Sequence, residues 1–274
     1  MDILSAVILG IIQGATEFIP VSSSAHICLA RAFFGLASPE DYPGLEVVLH
    51  AGTLFAVLFA YRRELPGLTR AVFSAPPKLV RRSALNDSER TVFFIFIATL
   101  PIVAAALLGL GDAADRVSGS PFAVGCLLVL NGLLLLTAEK LGKGGKKIGD
   151  SGARHALGAG LFQAAAVFPG ISRSGSMIAG GMLCGIEKED AVRLSFLCSV
   201  PAVVGACVFK APQILSLSPS LYMAAVFACG FASAALSGLL SIKLIKTVSG
   251  RSGPGYFSIY CFAAGAAVIL KAHG

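Results

Sequence analysis

The stretch Gln13-Gly14-Ala15-Thr16-Glu17-Phe18-Ile19-Pro20-Val21-Ser22-Ser23-Ser24-Ala25-His26 interrupts an apolar region that runs from residue 2 to residue 34. Proline removes a backbone donor and the serines compete for backbone hydrogen bonds, so one helix stops here and a second, capped by serine, begins. A second apolar region, 155–186, breaks in the same way at Pro169-Gly170-Ile171-Ser172-Arg173-Ser174. Bare backbone at membrane depth is tolerated only inside protein or along a wet cavity. Each region therefore reads as helix, polar elbow, helix, returning to the side from which it entered.

The composition makes lipid the solvent for most of the chain. Of its 274 residues, 55% are hydrophobic and 14% charged, with a mean hydropathy of +0.80. Soluble domains run nearer one quarter charged. Outside the two broken regions, six runs are long enough to span a bilayer, at about 45–61, 91–110, 121–138, 190–211, 219–240 and 254–272. No positively charged segment precedes the first apolar run, so residue 1 is expected to belong to the mature protein.

The net charge of +7 does not indicate nucleic acid, because fifteen of the 22 lysines and arginines lie in 62–90, 139–155 and 241–255. That clustering marks cytoplasmic loops. The link 35–46, with Glu40, Asp41 and Glu46, and the link with Asp112, Asp115 and Arg116 then lie outside. The seven cysteines are scattered with no Cys-x-x-Cys spacing, which argues against zinc or a disulfide framework.

The expected fold is an all-α integral membrane protein with six transmembrane helices plus two re-entrant helix pairs in an inverted-topology repeat. It forms a single membrane domain, 1–274, whose halves 1–140 and 155–274 share one element order in opposite orientations. Interrupted helices at matching positions of such a repeat point to a site near the bilayer midplane.

An ionisable group deep in an apolar run is a functional candidate by default, which singles out Glu17. Gln13, four residues earlier, shares its helix face. His26 follows the serines and is suited to act as base, nucleophile or metal ligand. In the second elbow, Arg173 demands an anion, and its planar fork of donors fits phosphate. The alternative partner for Arg173 is Glu17 itself. Glu46 and His50 are read as lining the outer mouth, and Asn131, Gln163 and Ser199 as site residues or interhelical hydrogen bonds. An acid, a histidine, hydroxyls and an arginine meeting in one wet pocket suit phosphoryl hydrolysis, where positioning and charge stabilisation do most of the work.

These motifs resemble the undecaprenyl-pyrophosphate phosphatase family, also known for bacitracin resistance, over essentially the whole chain. The resemblance rests on Gln13-x-x-x-Glu17 with Pro20-Val21-Ser22-Ser23, and on Pro169-Gly170-Ile171-Ser172-Arg173-Ser174-Gly175. It includes Glu46-Val47-Val48 and Ser195-Phe196-Leu197 leading to Pro201. It implies removal of the terminal phosphate from undecaprenyl diphosphate, leaving the monophosphate carrier of cell-wall synthesis. The enzyme would sit in the bacterial plasma membrane with its pocket open to the outer face. It would act with a divalent cation (Mg2+ or Ca2+) on a polyprenyl diphosphate among membrane lipids, with a homodimer as an open option.

On this reading Glu17, Ser23, His26 and Arg173 are catalytic. Ser22, Ser24, Ser172, Arg173, Ser174 and Ser176 bind phosphate, and Glu17 and Gln13 hold metal. The chain departs from the family pattern at Gln13 (a glutamate in many members), Ala25 (usually glycine) and Met177 (usually threonine). Because inverted repeats are shared with transporters, a transporter or flippase for a polyprenyl phosphate lipid is the alternative.

Overall fold

The computed structural model describes residues 2–34, 44–142, 144–215, 220–251 and 253–273; Glu40 and Asp41 of the outer link lie outside them. The described residues form twelve α-helices: α1 (Ile3–Phe18), α2 (Ser23–Phe34), α3 (Leu45–Ala60), α4 (Leu65–Val80), α5 (Asp87–Leu107), α6 (Leu110–Ser118), α7 (Pro121–Leu141), α8 (Ala153–Ala165), α9 (Arg173–Leu183), α10 (Lys188–Leu215), α11 (Leu221–Arg251) and α12 (Tyr256–His273). Among them no strand forms beyond one isolated bridge between Lys146 and Ile186. The protein is an all-helical, multi-pass membrane protein.

Both breaks fall where the prolines put them. α1 ends at Phe18, and Ile19 is already extended. α8 ends at Ala165, and Ser172 caps α9 by accepting the Gly175 N–H at 3.1 Å. In each pair the two helices pack on one another, α1 on α2 and α8 on α9.

Among the described residues four helical stretches are long and apolar enough to cross a bilayer: Asp87–Leu107, Pro121–Leu141, Lys188–Val208 and Leu221–Val248. A fifth exists only if α3 and α4 are taken together across a bend of 94°. The basic segment 62–90, expected as a plain loop, therefore contains a helix. Pro66 starts α4 at its first turn, where a missing N–H does no harm, and Asn86 and Glu89 form a capping box that starts α5. The link with Asp112 and Asp115, expected on the outside, likewise holds a helix, α6, short and amphipathic and entered through Gly109 in the left-handed region.

Lipid gives helices no hydrophobic reason to associate, so close packing of small residues does the work. Gly10 and Gly14 of α1 lie against α11, where an added Cβ would come within 2.5 Å of the Gly230 carbonyl and 2.3 Å of the Ala234 carbonyl. Gly52 of α3 abuts the Phe231 carbonyl in the same manner. α11 is thus a spine that fixes α1, and with it Glu17. On the other side α7 and α12 approach through Gly125 and Gly265, and α8 approaches α5 where Gly160 meets Ala98. An apolar core led by Phe18, Phe94, Met177 and Phe196 fills the space among them.

Candidate active site

The first elbow presents Glu17 from the last turn of α1 and Ser23 from the first turn of α2. Ser22 between them is held at φ 70°, a conformation L-residues seldom adopt. The turn brings the Ser23 hydroxyl back onto α1, where it donates to Glu17 Oε2 at 2.9 Å. Gln13 Nε2 donates to the same oxygen at 2.8 Å and lies 3.2 Å from His50 Nδ1 of α3.

The second elbow turns through Gly170 at φ 108°, where a Cβ would lie 2.7 Å from the Val124 carbonyl. Arg173 is the first residue of α9. Its Nη2 pairs with Glu17 Oε1 across the two elbows, and its Nη1 donates to the Ser199 carbonyl of α10 at 3.3 Å. The guanidinium thus takes the intraprotein partner foreseen for it. The first N–H groups of a helix have no partner of their own, so the start of α9 adds donors to the same region.

A single amide ties the elbows together. Asn131 of α7, fully buried, accepts the Ser172 N–H at 3.0 Å and donates to the Pro20 carbonyl at 3.0 Å. Both are backbone groups freed by the breaks. Ser174 adds a third tie, its hydroxyl 3.0 Å from that of Ser172 and 3.5 Å from the Ile19 carbonyl.

These groups edge a cavity of about 390 Å³. Its wall includes Gln13, Glu17, Ser22, Ser23, Ser24, Ser172 and Arg173, with Glu46, His50 and Asp115 of α6 also lining it. The elbows come from opposite halves of the chain, and the cavity lies where they meet.

Three expected site residues stand elsewhere. His26 does not line the cavity: its Nδ1 lies 2.8 Å from the Ser22 carbonyl and its Nε2 2.6 Å from the Tyr260 hydroxyl of α12, on which it stacks. One helical turn past the serines carries its ring round to the α12 side. Ser174 faces the Ser172 hydroxyl and the Ile19 carbonyl rather than the cavity. Ser176 is fully buried in α9, and its hydroxyl has no hydrogen-bond partner among the described residues. His50 is the histidine that reaches the cavity.

Among the described residues no three His, Cys, Asp or Glu side chains are arranged to hold a metal ion. Glu17 has each oxygen engaged, and the Gln13 amide turns its nitrogen to that carboxylate. This donor set does not make a protein cage. It does fit a hard cation that takes one or two side-chain oxygens and completes its shell with phosphate oxygens.

An all-helical membrane protein with an acid, a hydroxyl and an arginine meeting at two broken helices is built to grip and act on an anion within the bundle. The chain belongs to the family described as bacitracin resistance protein BacA, which matches residues 6–267. It is 37% identical over 271 residues to an undecaprenyl-diphosphatase of Rubrobacter xylanophilus, covering 98% of this chain and 97% of that protein. It is also 37% identical over 276 residues to an undecaprenyl-diphosphatase of Christiangramia forsetii, across 100% of this chain and 99% of that one. An undecaprenyl-diphosphatase of Korarchaeum cryptofilum is 36% identical over 275 residues, with 98% and 99% covered.

Proposed function

We propose that the chain hydrolyses undecaprenyl diphosphate to undecaprenyl phosphate and inorganic phosphate. The observation that carries this reading is the Glu17 carboxylate shared between the Ser23 hydroxyl and the Arg173 guanidinium. A diphosphate offers Arg173 a better-matched, bidentate anion than the single carboxylate oxygen it now holds. When its terminal phosphate enters, the guanidinium turns to it, and Glu17 is left facing the serine as a base.

The Ser23 oxygen then attacks the terminal phosphorus while its proton passes to Glu17. The bond to the bridging oxygen breaks, and undecaprenyl phosphate departs with that oxygen. Glu17 hands that proton to the departing phosphate. Water then attacks the phosphoserine as one of its protons passes to the freed carboxylate. The bond from phosphorus to the Ser23 oxygen breaks, Glu17 returns the proton to that oxygen, and inorganic phosphate leaves. Arg173, the Ser172 hydroxyl and the first N–H groups of α9 hold the charge on the transferring group throughout. His26 holds the elbow through the Ser22 carbonyl. A divalent cation, Mg2+ or Ca2+, held by Glu17 and by the Gln13 carbonyl after an amide turn, would neutralise charge on the diphosphate.

The fold reading that accompanies this has α3, α5, α7, α10, α11 and α12 as six crossings, with α1–α2 and α8–α9 re-entrant and halves 1–140 and 155–274 as inverted repeats. In this reading α4 lies on the inner side and the cavity opens toward the outer face of a plasma membrane, which the basic clusters support. A second copy is not required, since one chain supplies every site residue.

Purified protein in detergent should release phosphate from a polyprenyl diphosphate when a divalent cation is supplied. Ser23→Ala and Glu17→Gln should each lose at least about a hundredfold of that rate, as expected for groups acting as one unit. Absence of phosphate release across varied lipids and cations, with the protein folded, would end the hydrolase reading. Net leaflet-to-leaflet movement of the lipid without hydrolysis would favour a transporter instead.

A further inference from the structure

A second concave site lies at the other end of α5 from the cavity. It has a volume of about 320 Å³ and is lined by Arg82, Ser83, Arg90 and Ser151 beside apolar Leu79, Leu85 and Phe93. The catalytic cavity touches α5 at Ile102, so the two sites are about 14–18 Å apart along that helix at 1.5 Å per residue.

The backbone at Arg82 is the unusual feature. α4 ends in a paired closure in which the Arg82 N–H bonds the Leu79 carbonyl at 3.2 Å and the Ser83 N–H bonds the Lys78 carbonyl at 2.9 Å. That closure puts one residue in the left-handed region, a position that glycine normally fills. Here an arginine fills it, at φ 54°. A bulky residue kept in such a conformation is a departure from local preference, and departures of this kind concentrate at binding sites.

The consequence is chemical. Arg82 joins Arg90 at the wall of one pocket. Arg90 spends only its Nε, on the Leu85 carbonyl, and Nη1, on the Gly149 carbonyl. The nearby acid Glu89 is already saturated by Lys78, Ser74 and the Asn86 N–H, and it does not line the pocket. Among the described residues Arg82 has no acidic partner. Two guanidinium groups and two hydroxyls over an apolar floor fit a phosphate whose ester carries hydrocarbon.

The surroundings favour a lipid as its bearer. The 94° bend turns α4 away from the α3 axis, and α4 exposes Val72, Phe73 and Val80 together with Arg70 and Arg81. An apolar strip edged by arginines is the pattern of a helix lying in the headgroup layer. We propose that the Arg82–Arg90 pocket seats the headgroup phosphate of an anionic phospholipid, in the leaflet that α4 rests on. The proposal does not depend on the hydrolase reading.

The test uses full-length protein reconstituted in phosphatidylcholine vesicles doped with phosphatidylglycerol, re-extracted, and analysed for retained lipid by mass spectrometry. Arg82→Gly and Arg82→Gln should each lower retained phosphatidylglycerol by about fivefold, the weight of one basic residue at an anionic surface. Retained phosphatidylcholine should not change. Arg82→Gly should also melt at the same temperature as the parent or higher, because glycine suits the left-handed turn, and a purely structural role for Arg82 predicts no loss of lipid there. Parental phosphatidylglycerol retention in Arg82→Gly would overturn the proposal. So would a matching loss of phosphatidylcholine, which reports general delipidation, or full displacement of the lipid by millimolar inorganic phosphate.

Discussion

The two elbows are built from the same ingredients and carry opposite jobs. The first is reached at the C-terminal end of a helix, carries the acid, and leaves Ser23 half-buried and Ser24 exposed. The second opens a helix N-terminus, carries the base, and buries Ser172, Ser174, Ser176 and Met177 almost completely. The first makes its turn through a serine at positive φ, the second through glycine. The acidic elbow thus offers a reactive group to an incoming molecule, whereas the basic elbow is a rigid mould for charge. Helix polarity accounts for the second elbow only: a bound anion is favoured at the start of α9, whereas Glu17 sits against the dipole at the end of α1 and is held there by Arg173, Ser23 and Gln13.

If the elbows act as one unit, the largest effect comes from cutting their shared ion pair. Arg173→Ala and Glu17→Gln should each reduce phosphate release by at least about a hundredfold, the range seen when a group stabilising transferring charge is lost. The double variant should be scarcely worse than either single one. A double variant that multiplies the two losses would show two independent sites.

The next effect probes the tie rather than the chemistry. Asn131→Leu leaves the Ser172 N–H buried and unpaired, at about 1–3 kcal/mol, and leaves the Pro20 carbonyl only the weak Cys261 thiol donor at 3.9 Å. Thermal unfolding in detergent should register a loss of about 2–5 kcal/mol, and activity should fall by about tenfold as the elbows drift apart. Asn131→Asp, neutral at this fully buried position, keeps an acceptor for the Ser172 N–H and a single O–H donor to share between Pro20 and Cys261, so it should fall between parent and Asn131→Leu. Equal damage from both variants would show that the amide fills space and does not link the elbows.

The contrast between the turns is smaller. Gly170→Ala should cost about 1–3 kcal/mol, from positive φ and from the close approach to α7. Ser22→Gly should stay within about 1 kcal/mol of the parent, because relief of its φ of 70° offsets loss of the cap that its hydroxyl gives the Ala25 N–H. The reverse order would mean that the serine turn is unstrained in the protein.

The breaks were legible in the sequence because proline and glycine act locally. Pro20, Pro169 and Gly170 stop helices together with the serines that follow them, whereas Pro76, Pro77 and Pro101 stand inside theirs. The pairing of Arg173 with Glu17 was legible because few other charges lie at that depth. What the chain did not reveal depends on rotation and packing. His26 looked like a site residue by adjacency to serines, yet helical twist sends it to Tyr260; His50, read from the sequence as lining the mouth, does reach the cavity from α3. Asn131 was legible as a site residue or interhelical hydrogen bond, but its partners were not, since only the fold brings Pro20 and Ser172 to one amide. α4 was hidden by its own charge: arginines and three prolines read as loop, although Pro66 only starts the helix and Pro76 and Pro77 lie inside it. α1 packs on α11 through the spacing Gly10-x-x-x-Gly14, a signal present in the sequence that helix-break reasoning passed over.

The smallest expected effect separates two serines one helical turn apart in the same elbow. Ser172 lines the cavity, caps α9 and touches Ser174, whereas Ser176 is buried without a partner. Ser172→Ala should therefore lose about 1 kcal/mol of stability from the cap, with a several-fold rise in KM. Ser176→Ala removes a hydroxyl that has been desolvated without a hydrogen bond in return, so stability should hold or rise by up to about 1 kcal/mol and activity should stay within about twofold. Thermal midpoints and phosphate-release kinetics on the pair decide it. A Ser176→Ala variant that weakens substrate as much as Ser172→Ala would mean that α9 rotates when phosphate binds, and the basic elbow would then be a moving part and not a mould.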